Sequence, residues 1–209
     1  MSNYPIYLAS KSPRRRTLLK QLDIKFKTLV PKIDEDISEK NPRLFAIKIA
    51  RKKVFSVENK VTRGIIIGVD TIVAIDQKIL GKPKNKKDAQ RILKLLSGKI
   101  HKVISGICIL IKPYNYIIVD YEESKVKFRK LSATEIENYL NTKEPYDKAG
   151  AYAIQGKAKI FVESIDGCYL NVIGLPVPKL IKHLKSLQKL SIKKNRVIHL
   201  SFKTSNLEK

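Results

Sequence analysis

The stretch IIIGVDTIVAIDQKILGKP, residues 65–83, predicts the centre of both the fold and the functional site. Its first five residues, 65–69, are β-branched apart from one glycine and too few for a helix, which indicates a buried strand. Asp70 follows at the predicted end of that strand, beside the hydroxyl of Thr71. Ligands of open α/β sheets collect at the carboxyl ends of strands, so a carboxylate here is well placed to bind one.

The second half of the same stretch adds a lysine. A further apolar run, 71–75, is followed by a turn at Asp76-Gln77 and a short return segment that leads to Lys82. One segment therefore delivers a carboxylate and a lysine, a pair that can hold a metal and a phosphate. The alternative is that Asp70 caps a turn and that Lys82 is one solvated lysine among many.

The composition restricts the class of protein. The 209 residues are enough for one domain, or for two lobes that share a sheet. The hydrophobic fraction of 43% is typical of a globular protein, and no apolar run approaches the roughly 20 residues that cross a membrane. Cys108 and Cys168 are too few for a disulfide framework, and the N-terminus lacks a signal-peptide pattern. We therefore expect a cytoplasmic protein without a membrane partner.

The formal net charge of +24 raises the question of a nucleic-acid partner. The excess is mostly lysine spread along the whole chain, as in a compositionally biased genome. The chain has no Trp, and its few aromatic residues form no basic and aromatic stripe of the kind that stacks bases. We predict no specific nucleic-acid partner; a steep salt dependence of DNA affinity would indicate the opposite.

The N-terminal segment has the pattern of an anion-binding helix start. A short strand, 6–9, leads through Ser10 to Ser12, a good N-cap, and Pro13, a good first helical residue. The three arginines at 14–16 oppose the helix dipole, which prefers acids at this end. A chain that accepts this repulsion has a use for an anion there, although a solvated basic face is the alternative.

Two further segments carry charged candidates. A second strand, 26–30, is followed by an acidic loop with Glu35, which either binds a metal or is solvated. Asn41-Pro42 begins a helix whose apolar residues recur at helical spacing. The predicted apolar face consists of Leu44, Ile47, Ala50, Val54 and Val57. Lys53 borders this face and could point toward a site, although most lysines in such positions extend into solvent.

The rest of the chain alternates between helix and strand signals, as in an α/β protein. The predicted elements are a capped helix from Asn85, strands over 103–111, 116–128 and 160–164, a helix from Ser132 and a last helix from Pro178. The loop EPYDKAGAYAIQG, residues 144–156, has no periodicity and suits ligand binding. Residues 191–209 are weakly patterned, so we expect a single domain over 1–190 and a basic, poorly ordered tail.

Six of these segments, in the same order, resemble the Maf family of nucleoside triphosphate pyrophosphatases, also called septum formation inhibitor Maf. They are LASKSPRR (8–15), GVDTIV (68–73), LGKP (80–83), LSGKIHKV (96–103), EPYDKAGAYAIQG (144–156) and GLP (174–176). The resemblance implies hydrolysis between the α and β phosphates with a divalent metal. It also implies the α/β fold of the inosine triphosphate pyrophosphatases, a long mixed twisted sheet with flanking helices and two lobes around a central cleft.

The resemblance also implies roles for particular residues. Its catalytic positions fall on Asp70, Glu35, Lys53 and Lys82, and its substrate-binding positions on Ser10, Arg14, Arg15, Thr71 and Gln155. Asp70 matches the proton acceptor, and Glu35 with Asp70 would bind the metal. The implied cofactor is Mg²⁺, with Mn²⁺ and Co²⁺ as alternatives, and the implied partners are a nucleoside triphosphate and a second copy of the chain in a homodimer.

These assignments predict a mechanism. Mg²⁺ held by Glu35 and Asp70 bridges phosphate oxygens. Arg14, Lys53 and Lys82 neutralise the rest of a triphosphate that carries roughly four negative charges. Water near Asp70 loses its proton and attacks the α-phosphorus with the assistance of the metal. Whether Asp70 is the base, a metal ligand or both stays open.

The loop that ends at Gln155–Gly156 resembles the branch of the family that acts on dTTP and UTP. An amide both donates and accepts hydrogen bonds, so Gln155 suits the imide edge of thymine or uracil. A sister branch that prefers 7-methyl-GTP carries a different loop. The alternatives are an enzyme of that sister branch, and a non-catalytic regulator of septation that binds nucleotides. Modified pyrimidine nucleotides are a further open class of substrate.

Overall fold

The computed structural model describes residues 4–35, 37–142 and 144–189. The strands are β1 (Ile6–Ala9), β2 (Phe26–Leu29), β3 (Gly64–Ile75), β4 (Lys78–Leu80), β5 (Ile100–Lys112), β6 (Tyr116–Phe128) and β7 (Val162–Asp166). The α-helices are α1 (Pro13–Gln21), α2 (Pro42–Phe55), α3 (Lys86–Leu96), α4 (Ala133–Leu140), α5 (Tyr169–Ile173) and α6 (Val177–Lys189). The tail that the sequence predicts to be poorly ordered, 191–209, lies outside the described residues.

The strands of this part of the chain form one mixed sheet in the order β2-β1-β3-β5-β6-β7, and β4 also pairs with β3. β1 is parallel to both of its neighbours, whereas the other pairs are antiparallel. A long mixed sheet with flanking helices confirms the predicted fold class. Within the described ranges, no helix is long and apolar enough to cross a membrane. All these strands share one sheet, which supports the proposal of a single domain over 1–190.

The helix starts lie where the sequence places them. Ser12, Asn41 and Asn85 each accept a backbone N–H from the first turn of α1, α2 and α3 respectively. Ser132 and Glu135 form a reciprocal capping box at the start of α4. Each cap satisfies an N–H that has no partner inside the helix, and its loss typically costs about 1 kcal/mol. These local bonds are why the starts could be predicted from sequence.

The two faces of β3 are covered by different helices. Ile67 belongs to the large core that also contains residues of α1, α3, α4 and α6. Ile66 belongs to a separate cluster with Ala50 of α2. Side chains alternate along a strand, so Asp70 lies on the same face as Ile66, toward α2. Thr71 lies on the opposite face, toward the large core.

The predicted apolar face of α2 is wrong at one edge. Leu44 is 48% exposed, whereas Ala46, Ile49 and Ala50 are fully buried. The helix is turned so that small side chains meet the sheet, because a close approach excludes larger ones. The same rotation buries Lys53, which the spacing had put at the border of the face.

Two glycines of the sheet allow α2 to lie directly on it. A Cβ built on Gly68 would lie 2.5 Å from the carbonyl oxygen of Ala50. A Cβ built on Gly106 would lie 2.2 Å from the carbonyl carbon of Ala46. Both distances are far inside van der Waals contact. The close approach of α2 to β3 and β5 therefore depends on glycine, which has no Cβ, at these two positions.

Replacing Gly106 with alanine is expected to lower the free energy of unfolding by about 1–3 kcal/mol, because the added methyl overpacks the interface with α2. Urea denaturation would detect this as a lower midpoint with an unchanged slope. Gly81→Ala is the matched control, since a Cβ built on Gly81 meets no atom within 4 Å. Equal midpoints for the two variants would contradict the close contact.

The sequence predicted that this strand ends just before Asp70, and that prediction is wrong. β3 continues to Ile75, because its pairing with β5 is unbroken. Its other edge changes partner, since Gly68 is the last residue paired with β1 and Val73 is the first paired with β4. Along that edge, residues 69–72 have no strand partner among the described residues. Asp70 therefore lies in a gap of the sheet, beyond the carboxyl end of β1.

Candidate active site

A cavity of about 680 Å³ lies against this gap. Segments from both sides of β3 line it, including the start of α1, the turn after β4, the loop 144–156 and the turn between α5 and α6. Its charged lining residues are Lys11, Arg14, Arg15, Glu35, Lys53, Asp70, Lys82, Asp147 and Lys148. Among the described residues, six cationic side chains thus face three carboxylates. This excess of positive charge suits a ligand with several negative charges.

Eight of the nine predicted site residues line the cavity, and only Gln155 does not. Lys53 is the centre of the charged cluster: its Nζ lies 2.5 Å from Oδ1 of Asp70 and 3.0 Å from Oε1 of Glu35. The side chains of Lys53 and Asp70 are 8% and 12% exposed, whereas that of Glu35 is 50% exposed. Lys53 therefore points inward and joins two carboxylates from separate elements, which excludes the alternative of an extended, solvated lysine.

The Glu35 carboxyl is held in its charged form. Its partial burial would raise its pKa, but the Lys53 ammonium, and then Lys82 and Arg15, more than offset this. The pKa of Glu35 consequently lies below its usual value. At neutral pH the residue is a carboxylate that can accept hydrogen bonds or bind a cation.

Arg15 is buried in the wall of the cavity. Its Nε donates to the carbonyl of Gly174 at 2.8 Å, Nη1 to Oγ of Ser10 at 3.3 Å and Nη2 to Oγ1 of Thr71 at 3.0 Å. Burial lowers the pKa of Arg15, while the Asp70 and Glu35 carboxylates act in the opposite direction. The guanidinium thus joins the ends of three segments and adds positive charge behind Asp70.

The hydroxyl of Thr71 has no hydrogen-bonding capacity left for a ligand. It accepts from Arg15, donates to the carbonyl of Gly174 at 3.2 Å and lies 2.8 Å from Oγ of Ser105. A hydroxyl has one hydrogen and two lone pairs, and these three partners use all of them. Thr71 is therefore fixed in the wall on the side of β3 that faces the large core.

The start of α1 lies at the wall of the cavity. The first turn of the helix contains no acidic residue. Arg14 is half-buried; burial lowers its pKa, and Asp147 partly offsets this. Oγ of Ser10 accepts from the N–H of Ser12 at 3.1 Å and from Arg15, so its own O–H can donate to a ligand. The expected pairing of an anion with this helix start is consistent with the geometry.

Gln155 is exposed and lies just outside the cavity. It is in a turn that the N–H of Gly156 closes by donating to the carbonyl of Ala153 at 3.0 Å. Its neighbours Tyr152, Ala153 and Ile154 do line the cavity. The structure therefore brings the turn to the cavity and leaves Gln155 exposed beside it.

Asp147 and Lys148 are cavity residues that the sequence reasoning missed. They form an ion pair with each other, and Asp147 also interacts electrostatically with Arg14 across the cavity. Both lie in the loop 144–156, whose lack of periodicity was the available signal. The other part of the lining is apolar and includes Val73, Leu80, Val103, Tyr152, Ile154, Val172 and Ile173. The lining of the cavity thus combines charged and apolar side chains.

The described part of the chain contains no group of three or more His, Cys, Asp or Glu side chains that could hold a metal ion. Glu35 and Asp70 share one ammonium, so their nearest oxygens are no farther apart than the two contact distances combined. Protein sites for Mg²⁺ often consist of one or two carboxylates together with water and substrate phosphates. This donor set fits a divalent cation that binds together with a phosphorylated ligand.

Fold and cavity together define an α/β protein with a cleft for a polyanion beside a pair of carboxylates. Among solved structures, the Ham1 protein of Staphylococcus aureus has a similar fold. The TM-score is 0.52 at 13% sequence identity, and the match covers 87% of this chain and 98% of that chain.

The chain belongs to the family described as Maf-like protein, whose family profile matches residues 5–187. A protein of Carboxydothermus hydrogenoformans named dTTP/UTP pyrophosphatase is 44% identical over 86% of this chain and 97% of its own length. Proteins of the same name from Thermosipho africanus and Clostridium botulinum strain Kyoto are 48% and 49% identical, over 83% and 84% of this chain and 88% and 93% of their own lengths. The resemblance carried by the six sequence segments is confirmed.

Proposed function

We propose that this protein is a nucleoside triphosphate pyrophosphatase that hydrolyses dTTP and UTP to the monophosphate and pyrophosphate. The observation that carries the proposal is the Lys53 ammonium between Asp70 and Glu35 in a cavity rich in cations. Relatives named dTTP/UTP pyrophosphatase, 44% to 49% identical over most of the chain, support the choice of substrate. The two alternative functions lack comparable support. They are a regulator of septation and a pyrophosphatase that prefers 7-methyl-GTP.

The triphosphate binds against the charged side chains of the cavity. Arg14 and Lys82 contact phosphate oxygens, and the O–H of Ser10 donates to one of them. Arg15, buried behind them, contributes positive charge and holds Ser10 and Thr71 in place. A triphosphate carries roughly four negative charges, so positioning and charge neutralisation are the main tasks of the protein.

The base binds against the apolar side chains that β3, β5 and the loop 144–156 contribute to the cavity. Val73, Val103 and Tyr152 line the cavity, which supports their packing against the planar ring, and Ile154 leads into the turn that carries Gln155. The amide of Gln155 reads the imide edge of thymine or uracil at the rim. Thr71 acts on substrate choice indirectly, by fixing the wall, because its hydroxyl is already saturated.

Asp70 accepts a proton from the attacking water. Its Oδ1 is bonded to Lys53, which orients the carboxylate and leaves Oδ2 for the water. When bound by Glu35 and Asp70, a divalent cation supplies neutralisation of phosphate charge and a lower pKa for the water. Mg²⁺ as that cation, a cytoplasmic location and a homodimer stay predictions from the family resemblance.

Release of pyrophosphate tests the proposal. Purified protein is incubated with dTTP, UTP, dCTP, dATP, GTP or 7-methyl-GTP, with Mg²⁺, Mn²⁺, Co²⁺ or EDTA. We expect pyrophosphate from dTTP and UTP above all, and little turnover in EDTA. Preferred cleavage of 7-methyl-GTP would favour the sister branch, and no pyrophosphate from any nucleotide would favour a binding protein.

Replacing Gln155 with alanine is expected to change base preference more than catalysis. Loss of the contact to the imide edge should reduce the ratio of kcat/KM for dTTP over dCTP by about tenfold, the value of one or two hydrogen bonds. Steady-state kinetics on the nucleotide panel gives this ratio directly. A uniform loss across all nucleotides would contradict a role in recognition.

A further inference from the structure

The turn 153–156, which carries Gln155, is anchored on its N-terminal side to the core. Oη of Tyr152 lies 2.8 Å from Nε2 of His101 on β5, and both residues are buried. His101 and Tyr152 also contact each other and Phe128 edge to face. Tyr152 is thus fixed, and the position of residues 153–156 depends on the contacts at the other end of the turn.

The other end is held by Glu144. Both of its carboxylate oxygens accept the backbone N–H of Lys157, at 3.2 Å and 3.0 Å. A Cβ built on Gly156 would lie 2.2 Å from Oε2 of the same carboxylate. Glu144, at the start of the loop 144–156, therefore binds the backbone just after the end of the same loop. The close packing of its carboxylate leaves no room for a side chain at position 156.

A tyrosine of α4 connects this contact to the middle of the turn. Oη of Tyr139 accepts the backbone N–H of Ala153 at 3.3 Å. Burial raises the pKa of Tyr139, and the nearby Glu144 carboxylate adds to the effect. The Tyr139 hydroxyl thus contacts the start of the turn and interacts electrostatically with Glu144, which contacts the residue after its end.

We propose that Glu144 is a positioning residue that holds the turn 153–156 against the cavity, and so places the amide of Gln155 for base recognition. This inference rests on the proposed function. Glu144 itself is not among the residues that line the cavity. Its loss affects discrimination between bases and leaves the cleavage step intact.

The rest of the loop has anchors that do not involve Glu144. The N–H of Gly150 donates to the carbonyl of Gly81 at 3.1 Å, and the hydroxyl of Tyr146 donates to the carbonyl of Leu140 at 2.9 Å. These bonds keep Asp147 and Lys148 in the wall of the cavity. Removing the Glu144 carboxylate therefore releases the end of the loop alone, which separates recognition from catalysis.

The first test is Glu144→Ala. We expect the ratio of kcat/KM for dTTP over dCTP to fall about tenfold, as for Gln155→Ala, through a higher KM for dTTP. The kcat for dTTP should stay within about threefold of the unaltered protein. Glu144→Gln keeps one oxygen that can accept from Lys157 and should retain most of the discrimination. Glu163→Ala is the control and should change neither value, because it removes an exposed carboxylate of β7 that is paired with Lys127 of β6.

The second test is a double-mutant cycle. If Glu144 acts through Gln155, the variant that lacks both side chains should discriminate no worse than Gln155→Ala alone. Independent roles would instead multiply the two losses, and this result would overturn the proposal. An equal loss of kcat for every nucleotide in Glu144→Ala would also overturn it, because it would indicate general damage to the loop.

Gly156→Ala tests the same contact from the other side, and it serves if Glu144→Ala fails to fold. The added methyl must displace the carboxylate from the N–H of Lys157, so discrimination should fall as in Glu144→Ala. In a Glu144→Ala background the methyl has no carboxylate to displace, so discrimination between dTTP and dCTP should not fall further. Unaltered discrimination in Gly156→Ala would contradict the inference. Absence of all hydrolysis by the unaltered protein would instead refute the proposed function.

Discussion

Asp70→Asn is expected to reduce kcat for dTTP by at least about 10²-fold, the usual scale for losing a positioned base. The amide keeps the shape of the side chain, but it cannot take the proton from the attacking water. Lys53 then retains Glu35 as its partner, so the charged cluster is not dispersed. Pyrophosphate release at saturating dTTP gives the value, and circular dichroism establishes that the fold is intact.

Asp76→Asn is the matched control for this change. Asp76 is exposed in the turn between β3 and β4, with a positive φ of 47° that asparagine tolerates. Its variant should keep its full activity. Near-normal turnover of a folded Asp70→Asn variant would remove Asp70 from the mechanism.

Lys53→Met is expected to have the second large effect, on both activity and stability. It removes the ammonium between two carboxylates and leaves the buried Asp70 without its closest partner. Breaking a buried ion pair on one side typically costs 3–5 kcal/mol. Because Glu35 is half exposed and partly solvated, we expect a loss near the lower end, about 3 kcal/mol. The kcat/KM for dTTP should fall by about 10²-fold, since the carboxylate of Asp70 loses its orientation.

Urea denaturation and the pyrophosphate assay measure the two effects on the same preparation. Lys52→Met is the control, because Lys52 is the exposed neighbour on α2 and its Nζ donates to the carbonyl of Asp34, at 3.1 Å. Exposed substitutions of this kind stay within about 0.5 kcal/mol. If the two lysine variants were equally stable and active, the ammonium between Asp70 and Glu35 would have no role.

Much of the fold could be predicted because its signals are local. The N-caps at Ser12, Asn41 and Asn85 act within one turn of each helix, and the capping box of Ser132 needs only a glutamate three residues on. For α3, the buried residues recur at the spacing of one helix face and are Ala89, Ile92, Leu93 and Leu96. In each case the deciding interaction lies within a few residues of the signal.

The errors fall where distant segments decide the outcome. Asp70 could not be placed inside a longer strand, because the continuation of β3 depends on its pairing with β5. Leu44 could not be placed outside α2's buried face, because that rotation depends on Gly68 and Gly106 in the sheet. The position of Gln155 depends on Glu144 and His101, which the sequence does not connect with it.

The three arginines of α1 illustrate the difference between what the sequence determines and what the tertiary structure decides. Their identity and their place at a helix start follow from the sequence by itself, as do the order of the six segments and hence the family. Only the tertiary structure decides that Arg14 faces the cavity, that Arg15 is buried in its wall and that Arg16 is left to bond the carbonyl of Lys11. Successive helical residues point about 100° apart, and the rotation of α1 is set by Leu18 and Leu19 packing into a core built from distant parts of the chain.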